Sequence, residues 1–487
     1  MSSTAAVILA AGQGKRMKSA LPKVLHRCAG APLIAYVLEA VAAAGIDEVV
    51  IVIGTGAALV RETLGEGYRY ALQEQQLGTG DAVARALPQL QASCRDLLVL
   101  CGDTPLLTAG SLTRLLSARR GGHDACNGAA GTFGGSTGPV AADACILTSI
   151  FDDPSGYGRI VRDGMGLVAA IVEDGDATPG QREIREINTG TYAFDRVALE
   201  SALSHLRPDN RQGEYYLTDV IGLLRQDGRR VAAVTAPPAE TAGINSRREL
   251  AAAERVFRQR ECERLMDAGV TIIDPAVTYI DHGVEVGRDT VIYPFCFLEG
   301  HTRVGADCLV GPGTRLIDTS LGSGVTVQSS LLVESSAGDS CQIGPFAYLR
   351  PGTALAERVK VGDFVELKQT QVGPGSKIPH LSYMGDTAIG AGVNVGAGTI
   401  TCNYDGVSKY RTSIGDGAFI GSNTNLVAPV SVGSGAVTGA GSTITRDVPE
   451  GALAVERGRQ TVVADWRRRK SRKDDRQDRP GKIGKEP

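Results

Sequence analysis

Residues 414–444 read IGDGAFIGSNTNLVAPVSVGSGAVTGAGSTI, and a unit of six residues repeats along this stretch. The repeated positions hold Ile414, Ile420, Leu426, Val432, Thr438 and Ile444. Two earlier runs keep the same interval, namely Val286, Ile292, Leu298, Val304, Val310 and Leu316, and Ile343, Leu349, Leu355, Val361 and Leu367. A period of six fits neither an α-helix nor the simple alternation of a β-strand. Three such runs are typical of a parallel β-helix.

In a β-helix of this kind, each hexapeptide supplies one short strand and a turn, and three hexapeptides complete a triangular coil. The repeated aliphatic side chain fills the interior, while small residues let the backbone bend at each corner. Gly directly follows the repeated residue at positions 287, 305, 311, 344, 362, 415, 421 and 433. The sequence therefore predicts coils from about residue 286 to residue 444.

The composition fits a large protein built around this repeat. A chain of 487 residues with 43% hydrophobic residues is expected to form two or three domains. A net charge of -3 gives no support for binding to nucleic acid or to a membrane surface. The ten Cys residues contain no C-x-x-C pair, which favours reduced thiols and no structural zinc. With no targeting segment or membrane-spanning run in the sequence, we expect a soluble cytoplasmic protein.

The first 245 residues predict alternating strands and helices. Strands are expected at Ala5–Ala10, Glu48–Ile53 and Asp96–Cys101, and a helix is expected at Pro32–Ala44. This alternation favours a mostly parallel sheet covered by helices. Ligands of such sheets bind beyond the carboxyl ends of the strands, so the residues that follow the strands are the candidates for function.

Two features follow these strands. Residues 9–17 read LAAGQGKRM, and their glycines let backbone N–H groups approach a polyphosphate that Lys15, Arg16 and Lys23 can neutralise. A tight structural turn is the alternative explanation. Asp103 follows the buried third strand, where its carboxylate is placed to hold Mg²⁺. As a single feature, Asp103 is equally consistent with a helix N-cap or a turn.

Polar residues that interrupt the hexapeptide pattern are the second set of candidates. Arg350 and Lys368 lie on or next to repeated positions, where they could bind a sugar phosphate or form salt bridges to Glu357 or Glu366. His380 lies in a short predicted loop broken by Pro379, and its imidazole suits a general base because imidazole ordinarily titrates near neutrality. A hydrogen-bonded surface role is the alternative for His380.

Four other segments have predictions of their own. The polar segment 401–410 is expected to form a loop thrown out between coils. Residues 246–269 carry helix-capping signals and many charges, which favours a mostly solvated helical spacer. The Gly-rich segment 127–142 is expected to be a flexible surface loop. Residues 467–487 carry ten Lys/Arg against four Asp/Glu and are expected to be disordered.

Further motifs occur in the order found in a known enzyme family. Those of the N-terminal half are Leu9–Lys23, Gln73, Leu77–Gly80, Gly102-Asp103, Gly156–Ile160, Ile171–Glu173, Glu186–Gly190 and Gly213–Tyr216. Those of the C-terminal half are Arg350–Gly352, His380–Tyr383 and Thr399–Gly406. Over nearly its whole length the chain resembles the bifunctional GlmU enzymes, which are N-acetylglucosamine-1-phosphate uridylyltransferases and glucosamine-1-phosphate N-acetyltransferases.

The resemblance implies a fold and a division into domains. An α/β, Rossmann-like nucleotidyltransferase domain at 1–247 would be joined by a helical linker at 248–268 to a left-handed parallel β-helix at 269–466. The β-helix would be the N-acetyltransferase, and 467–487 the disordered basic tail. Family members are homotrimers of the cytoplasm, and their product serves peptidoglycan synthesis and cell-wall biogenesis.

The resemblance also implies residue roles. The uridine nucleotide would be held by Leu9, Ala10, Ala11, Gly12, Lys23, Gln73, Gly78 and Thr79. The sugar would be held by Gly158, Glu173 and Asn188, and Mg²⁺ by Asp103 and Asn245. His380 would be the catalytic base of acetylation. The amino-sugar phosphate would be bound by Arg350, Lys368, Tyr383 and Asn394, and acetyl-CoA by Ala397, Asn403, Tyr404, Ser422, Ala440 and Arg457. Lys409 would lie near the acetyl-CoA groove.

Three features depart from the family pattern. Lys15 replaces a usual Thr, Cys101 replaces a common Tyr next to Asp103, and the Gly-rich segment 127–142 lies where the family has few or no residues. The predicted function is acetylation of glucosamine 1-phosphate by acetyl-CoA, followed by Mg²⁺-dependent uridylyl transfer from UTP with release of pyrophosphate. Its partners would be these small molecules and two further copies of the chain, without nucleic acid or membrane. A single-activity nucleotidyltransferase with an oligomerising or regulatory β-helix is the main alternative, and a non-enzymatic scaffold is another.

Overall fold

A computed structural model describes residues 3–122, 141–468 and 470 of the chain. Most of the predicted loop at 127–142 and most of the predicted disordered tail at 467–487 lie outside the described residues. Ala142, at the end of that predicted loop, is described and is buried, so the expected surface position is wrong for this residue. Its backbone N–H donates to the carbonyl of Arg119 at 2.7 Å.

The N-terminal region forms one nine-stranded sheet, a small hairpin and nine described helices. The sheet strands are β1 Ser3–Ala10, β4 Glu48–Ile53, β5 Arg69–Leu72, β6 Cys94–Cys101, β7 Ala144–Ile150, β8 Arg159–Arg162, β9 Val168–Val172, β10 Glu186–Asp195 and β11 Val231–Thr235. The hairpin strands are β2 Arg27–Cys28 and β3 Ala31–Pro32. The helices are α1 Leu33–Ala43, α2 Ala57–Leu64, α3 Thr79–Ala86, α4 Ala109–Arg119, α5 Pro179–Arg182, α6 Arg196–Leu203, α7 Asp219–Gln226, α8 Pro238–Thr241 and α9 Arg247–Asp267.

The strand order of the sheet is β11-β7-β10-β6-β1-β4-β5, with β8 and β9 attached through β10. Along this described path every neighbouring pair is parallel except the two pairs that β10 makes with β6 and β7. The prediction of a mostly parallel α/β sheet is therefore confirmed. The three strands and the helix predicted from the sequence each agree with an observed element to within two residues.

Both faces of this sheet are buried, as the alternation along β1 shows. Ala5 and Val7 point into one hydrophobic cluster, whereas Ala6 and Ile8 point into the other. Because neither face meets water, the central strands are continuous apolar runs. Polar groups are consequently left for the strand ends, where the chain turns over the edge of the sheet.

Helix α9 packs one of its faces into a hydrophobic core. Ala253 and Phe257 are buried in a cluster that also contains Leu33 and Tyr36 of α1. The rings of Tyr36 and Phe257 stack with centroids 4.0 Å apart. Only five of its 21 residues are buried, which agrees with a mostly solvated helix, but the buried face that completes a hydrophobic core was not predicted.

The C-terminal region forms three stacked parallel sheets, which we call faces one, two and three. Face one contains β12 Thr271–Ile272, β15 Val291–Ile292, β18 Leu309–Val310, β21 Thr326–Val327, β24 Gln342–Ile343, β27 Lys360–Asp363, β30 Lys377–His380, β33 Asn394–Val395, β36 Phe419–Ile420, β39 Val437–Thr438 and β41 Leu453–Ala454. Face two contains β13 Tyr279–Ile280, β16 Phe297–Glu299, β19 Arg315–Ile317, β22 Leu331–Val333, β25 Tyr348–Leu349, β28 Glu366–Lys368, β31 Tyr383–Gly385, β34 Ile400–Cys402, β37 Asn425–Val427 and β40 Thr443–Ile444. Face three contains β14 Glu285–Val286, β17 Arg303–Val304, β20 Ser320–Leu321, β23 Ser336–Ala337, β26 Ala354–Leu355, β29 Gln371–Val372, β32 Thr387–Ile389, β35 Thr412–Ile414 and β38 Val430–Val432.

The hexapeptide positions fill the interior of this β-helix, as predicted. Apart from the half-buried Val286, every repeated residue identified in the sequence is buried. The repeat was not visible between positions 316 and 343 because some turns there are shorter. Leu316 pairs in register with Leu332, so the coil between them is shorter than three full hexapeptides, and both side chains are buried.

Contacts divide the chain into two compact units. One comprises Met1–Ala268, Asp274–Val284 and Leu298–Gly300, and the other comprises Gly269–Ile273, Glu285–Phe297 and His301–Pro487. The domain boundaries implied by the family resemblance stay a prediction. No helix in the described part of the chain is long and apolar enough to cross a membrane.

The interior stack makes a prediction about stability. Replacing the fully buried Leu349 by Ala should lower the free energy of unfolding by about 2–5 kcal/mol, because it leaves a cavity between coils that are held by backbone hydrogen bonds. Leu453→Ala is the matched control, since that side chain is 66% exposed. Thermal unfolding followed by circular dichroism measures both, and equal shifts of the midpoint would contradict the assigned interior.

Candidate active sites

A crevice at the carboxyl ends of β1 and β6 gathers most of the residues predicted to bind the nucleotide. These strands are paired in register up to Leu9 and Cys101, so the loops that follow them open on the same edge of the sheet. The crevice encloses about 290 Å³. It is lined by Leu9, Ala10, Ala11, Gly12, Lys23, Val24, Gln73, Gln76, Gly78, Thr79, Ala82, Cys101, Asp103 and Glu214.

Two glycines allow close backbone approach around this crevice. Gly14 has φ +59°, and an added Cβ would lie 2.7 Å from Cβ of Lys23. Gly78 has φ +113°, and an added Cβ would lie 2.5 Å from the carbonyl oxygen of Tyr215. Since both positions combine a left-handed conformation with a crowded Cβ position, a larger residue at either would displace the crevice wall.

Lys23, Asp103 and Asn245 meet at the crevice. The Lys23 ammonium donates to a carboxylate oxygen of Asp103 and, at 2.9 Å, to Oδ1 of Asn245. The N–H of Ile244 also donates to the backbone carbonyl of Asp103 at 2.9 Å, which ties the segment before α9 to the end of β6. One carboxylate oxygen and one amide oxygen therefore converge on a single positive charge.

The predicted sugar-binding residues Gly158, Glu173 and Asn188 form a group next to the crevice. The N–H of Asn188 donates to the carbonyl of Gly158 at 2.8 Å, and a Cβ added to Gly158 would lie 3.5 Å from a carboxylate oxygen of Glu173. Burial raises the pKa of Glu173, whose carboxylate accepts a hydrogen bond from Thr218 at 3.1 Å. The carbonyl of Gly158 and the Glu173 carboxylate give this group acceptors suited to sugar hydroxyls.

Cys101 lies between these two groups. It lines the crevice, and its thiol donates to the carbonyl of Gly190 at 3.7 Å. Burial, the Asp103 charge and the Glu173 charge raise its pKa to about 12, with Lys23 acting in the opposite direction. The thiol is therefore neutral at physiological pH. Every cysteine that the structure describes is free, as expected from the spacing in the sequence.

Several crevice residues were not singled out from the sequence. Gln76 holds the crevice wall by donating to the carbonyl of Ala11 and to the hydroxyl of Thr55, each at 2.8 Å. Glu214 belongs to a recognised motif but had no assigned role. Lys15 and Arg16, which were expected near the phosphates, are both exposed and do not belong to the crevice lining.

His380 belongs to a column of residues at the corner between faces one and two. It pairs in register with Asp363, and its Nδ1 lies 2.5 Å from Oδ1 of that residue. This hydrogen bond lowers the pKa of the Asp363 carboxyl. His380 ends strand β30, so the expectation that it lies in a loop is wrong.

Three of the predicted acetyl-CoA residues, Ala397, Ser422 and Ala440, continue the same column, whereas Asn403 and Tyr404 begin the loop after β34. The pairing of Lys377 with Asn394 places Ala397 in the coil next to His380, and the pairing of Val395 with Ile420 places Ser422 next to Ala397. Ala440 occupies the corresponding position in the following coil. In the coil after that, Glu456 corresponds to Ala440, and Arg457 follows it by one residue. The column therefore runs from His380 along one edge of the β-helix.

Arg350 and Lys368 are neighbours on face two, one coil apart. Leu349 pairs with Leu367, so the residues that follow them are stacked. Arg350 donates to Glu366 at 2.8 Å, and this hydrogen bond raises the pKa of Arg350. Glu366 was one of the two salt-bridge partners foreseen for Arg350.

Lys368 faces both an acid and a second cation. Its ammonium lies 3.7 Å from a carboxylate oxygen of Asp386. Lys368 also lowers the pKa of Lys409, because two ammonium groups in contact disfavour each other's charge. With the nearby Arg350, these lysines place three cations beside two carboxylates, those of Glu366 and Asp386.

A glycine makes room for the remaining polar groups of this face. A Cβ added to Gly385 would collide with the hydroxyl of Tyr383 and would lie 2.6 Å from the amide nitrogen of Asn403. That amide donates to Asp386 at 2.5 Å. The loop predicted at 401–410 lies at 403–411, because residues 401 and 402 belong to strand β34, and Tyr404 pairs there with Lys409.

Asn394 is not brought together with the other predicted sugar-phosphate ligands. It lies at the start of a face-one strand, level with Lys377, while His380 ends the adjacent strand. Three residues of extended chain span about 10 Å, so the width of face one separates Asn394 from the corner that leads to Tyr383. Two aspartates of this site were not predicted from the sequence. Asp363 contacts His380 and Asp386 lies near Lys368, and each is about one coil away from its partner in sequence.

Comparison with known proteins agrees with both halves. Residues 6–155 match the family model of the MobA-like NTP transferase domain, and residues 411–446 match six repeats of the bacterial transferase hexapeptide. The bifunctional protein GlmU of Pelotomaculum thermopropionicum is 56% identical over 96% of this chain and 98% of its own length. The chain belongs to the GlmU family.

Other GlmU proteins show the same extent of similarity. That of Heliobacterium modesticaldum is 53% identical over 88% of this chain and 89% of its own length. That of Syntrophomonas wolfei is 50% identical over 87% of this chain and 91% of its own length. The similarity to GlmU proteins therefore includes the nucleotidyltransferase half as well as the β-helix.

The glycine at the crevice mouth gives a test of the nucleotide site. A Cβ at Gly12 meets nothing within 4 Å, so Gly12→Ala should fold normally while its methyl group intrudes into the crevice. We expect the Kd for UTP, measured by isothermal titration calorimetry, to rise by about tenfold. Gly164→Ala is the matched control, since that Cβ position is also open and lies outside the crevice lining. Unchanged UTP affinity in Gly12→Ala would show that nucleotide does not approach this backbone.

Proposed function

We propose that the N-terminal crevice performs uridylyl transfer and that the corner column of the β-helix, with face two, performs acetyl transfer. As a GlmU enzyme, the chain makes UDP-N-acetylglucosamine in these two reactions. The observation that carries the assignment is that each half contains its own set of converging polar groups. Lys23, Asp103 and Asn245 meet in one half, and the His380–Asp363 pair adjoins the cations of face two in the other.

The oxygen groups of Asp103 and Asn245 fit Mg²⁺. Mg²⁺ is bound by one or two protein oxygens together with water and phosphate oxygens. These two residues already direct their oxygens at one cation, the Lys23 ammonium. When bound, Mg²⁺ would neutralise charge on the triphosphate, and Asp103 and Asn245 would hold it.

For uridylyl transfer, an oxygen of the sugar phosphate attacks the α-phosphorus of UTP, and the bond to pyrophosphate breaks. The chain contributes positioning and positive charge rather than covalent chemistry. The backbone at 9–12 would approach the nucleotide, and Lys23 would neutralise its phosphates. Gly158, Glu173 and Asn188 would hold the sugar beside them.

For acetyl transfer, the amine of glucosamine 1-phosphate attacks the thioester carbon of acetyl-CoA, and the carbon–sulfur bond breaks. His380 would accept the proton that the amine loses, and coenzyme A leaves as the thiol once protonated. Asp363 orients the imidazole through Nδ1, which leaves Nε2 as the atom that takes the proton. Arg350 and Lys368 would bind the sugar phosphate.

We also propose a homotrimer, which the position of Asn394 supports. If Asn394 binds the same amino sugar as Tyr383 and Lys368, it must come from another copy, because face one separates them within a chain. Three-sided prisms packed around a threefold axis give closed symmetry. We further propose that the enzyme works in the cytoplasm.

The single-activity alternative is less well supported by the β-helix. An oligomerising or regulatory β-helix has no need for an oriented His380–Asp363 pair near the cations Arg350 and Lys368. An assay by mass spectrometry with glucosamine 1-phosphate, acetyl-CoA, UTP and Mg²⁺ tests the proposal when each component is omitted in turn. Formation of UDP-N-acetylglucosamine without acetyl-CoA would contradict the acetyl-transfer assignment.

The two reactions should separate by mutation. Asp103→Ala should abolish uridylyl transfer, because it removes the carboxylate proposed to hold Mg²⁺, and should leave acetylation unchanged. Asp227→Ala is the control, since this exposed carboxylate lies outside the crevice lining. Both activities are measured on the folded protein, and equal loss of both in Asp103→Ala would rule out independent sites.

His380→Ala should lower the kcat of acetylation by about 10²–10⁴-fold, which is the usual contribution of a general base. Acetyl-CoA binding and uridylyl transfer should change little. His301→Ala, an exposed histidine of the same β-helix, should behave as wild type. A His380→Ala enzyme with near-normal acetylation would mean that the base is another group.

A further inference from the structure

The segment that carries Lys23 and the segment that carries Asn245 are joined twice. In the crevice, the Lys23 ammonium donates to Oδ1 of Asn245 at 2.9 Å. Three residues after Lys23, Nδ1 of His26 lies 3.3 Å from a guanidinium nitrogen of Arg247, which is two residues after Asn245. Neither His26 nor Arg247 belongs to the crevice lining. The second contact therefore links the two segments without touching the nucleotide space.

The protonation state of this contact follows from its partner. Arginine only donates, so Nδ1 of His26 accepts and the imidazole proton is on Nε2. The side chain is 4% exposed, and Nε2 has no hydrogen-bond partner within the described residues. Burying an unsatisfied N–H is unfavourable, and an apolar side chain would fill the same space without that penalty. The benefit of histidine here must come from Nδ1 and its contact with Arg247.

His26 is rigidly attached to Lys23. Its backbone N–H donates to the carbonyl of Lys23 at 3.2 Å, which closes the 3₁₀ turn Lys23–Leu25. Within this turn Val24 and Leu25 are buried. The carbonyl of His26 accepts from Leu33, the first residue of α1, at 3.0 Å. A shift of the His26 side chain would therefore move the turn that presents Lys23.

Arg247 is attached as firmly to the other segment. It is the first residue of α9, whose N-cap Ser246 accepts from the N–H of Glu249 at 3.3 Å. The Glu249 carboxylate accepts from the N–H of Asn245 at 2.6 Å. Through Ile244, the same segment is hydrogen-bonded to the backbone of Asp103. The position of Arg247 is thus coupled to both oxygen groups assigned to Mg²⁺.

We propose that the His26–Arg247 hydrogen bond is a positioning contact that sets the separation of Lys23 from Asp103 and Asn245 for uridylyl transfer. The inference rests on the proposed function of the crevice. It adds two residues, neither of which contacts substrate in this arrangement. Their role is to keep the cation and the two oxygen groups in register when the nucleotide enters between them.

The test compares variants that remove or keep the acceptor. His26→Leu fills the space without Nδ1, whereas His26→Asn supplies Oδ1 in a comparable position. We expect His26→Leu to lower the kcat of uridylyl transfer by about 10- to 100-fold, as misplaced catalytic groups do. The Kd for Mg²⁺·UTP, measured by calorimetry, should rise, while the KM for N-acetylglucosamine 1-phosphate stays within about twofold. His26→Asn should restore most of both losses, and acetylation should be unaffected.

A second variant tests the proposal even if His26→Leu does not fold. Arg247→Ala removes the donor from an exposed residue and should cause the same losses, with its exposed neighbour Arg248→Ala as the matched control. Unchanged kcat and Mg²⁺·UTP affinity in Arg247→Ala would overturn the proposal, as would a lower melting temperature with normal kinetics. Failure of His26→Asn to restore activity in a folded protein would also overturn it. A wild-type protein without uridylyl transfer would instead refute the proposed function itself.

Discussion

Hydrogen bonds between successive coils are the interaction on which the C-terminal half depends. The N–H of Tyr348 donates to Val365 at 2.9 Å, and that of Arg350 donates to Leu367 at 2.8 Å. Each such bond requires that a strand lie directly beside the strand of the preceding coil. Residues that are one coil apart in the sequence are therefore neighbours, at the strand spacing of a parallel sheet. The contact between Asp363 and His380, and the proximity of Arg350 and Lys368, are direct results of this register.

Much of the fold could be predicted because its strongest constraint is periodic. A repeated interior residue must be apolar, and so Ile343, Leu349 and Leu355 reveal the coil length directly. Where turns are shortened, as between Leu316 and Leu332, the interior remains apolar but the simple count fails. The buried face of α9 escaped prediction because its partners, such as Tyr36, lie in a distant part of the sequence.

The candidate sites were predictable to a different degree. Glycine-containing loops and acids that follow strands pointed to the crevice, since β1 and β6 must end at one edge. The partners Asp363 and Asp386 carry no motif of their own. They become identifiable only when successive coils are aligned by the register of their strands, which places them beside His380 and Lys368. Contacts such as His26 with Arg247 depend on the path of two loops, and no local pattern encodes that path.

The loop between β34 and β35 shows how such a scaffold can change. Val395 pairs with Ile420 across this longer coil, and yet the coils on either side remain in register. A corner of the β-helix can therefore lengthen without disturbing the stack, and the entropic cost of a longer loop grows only with the logarithm of its length. Interior positions tolerate change poorly, because each interior side chain packs against those of the two neighbouring coils. New chemistry in a protein of this architecture should thus arise by insertion at corners, while its walls stay almost unchanged.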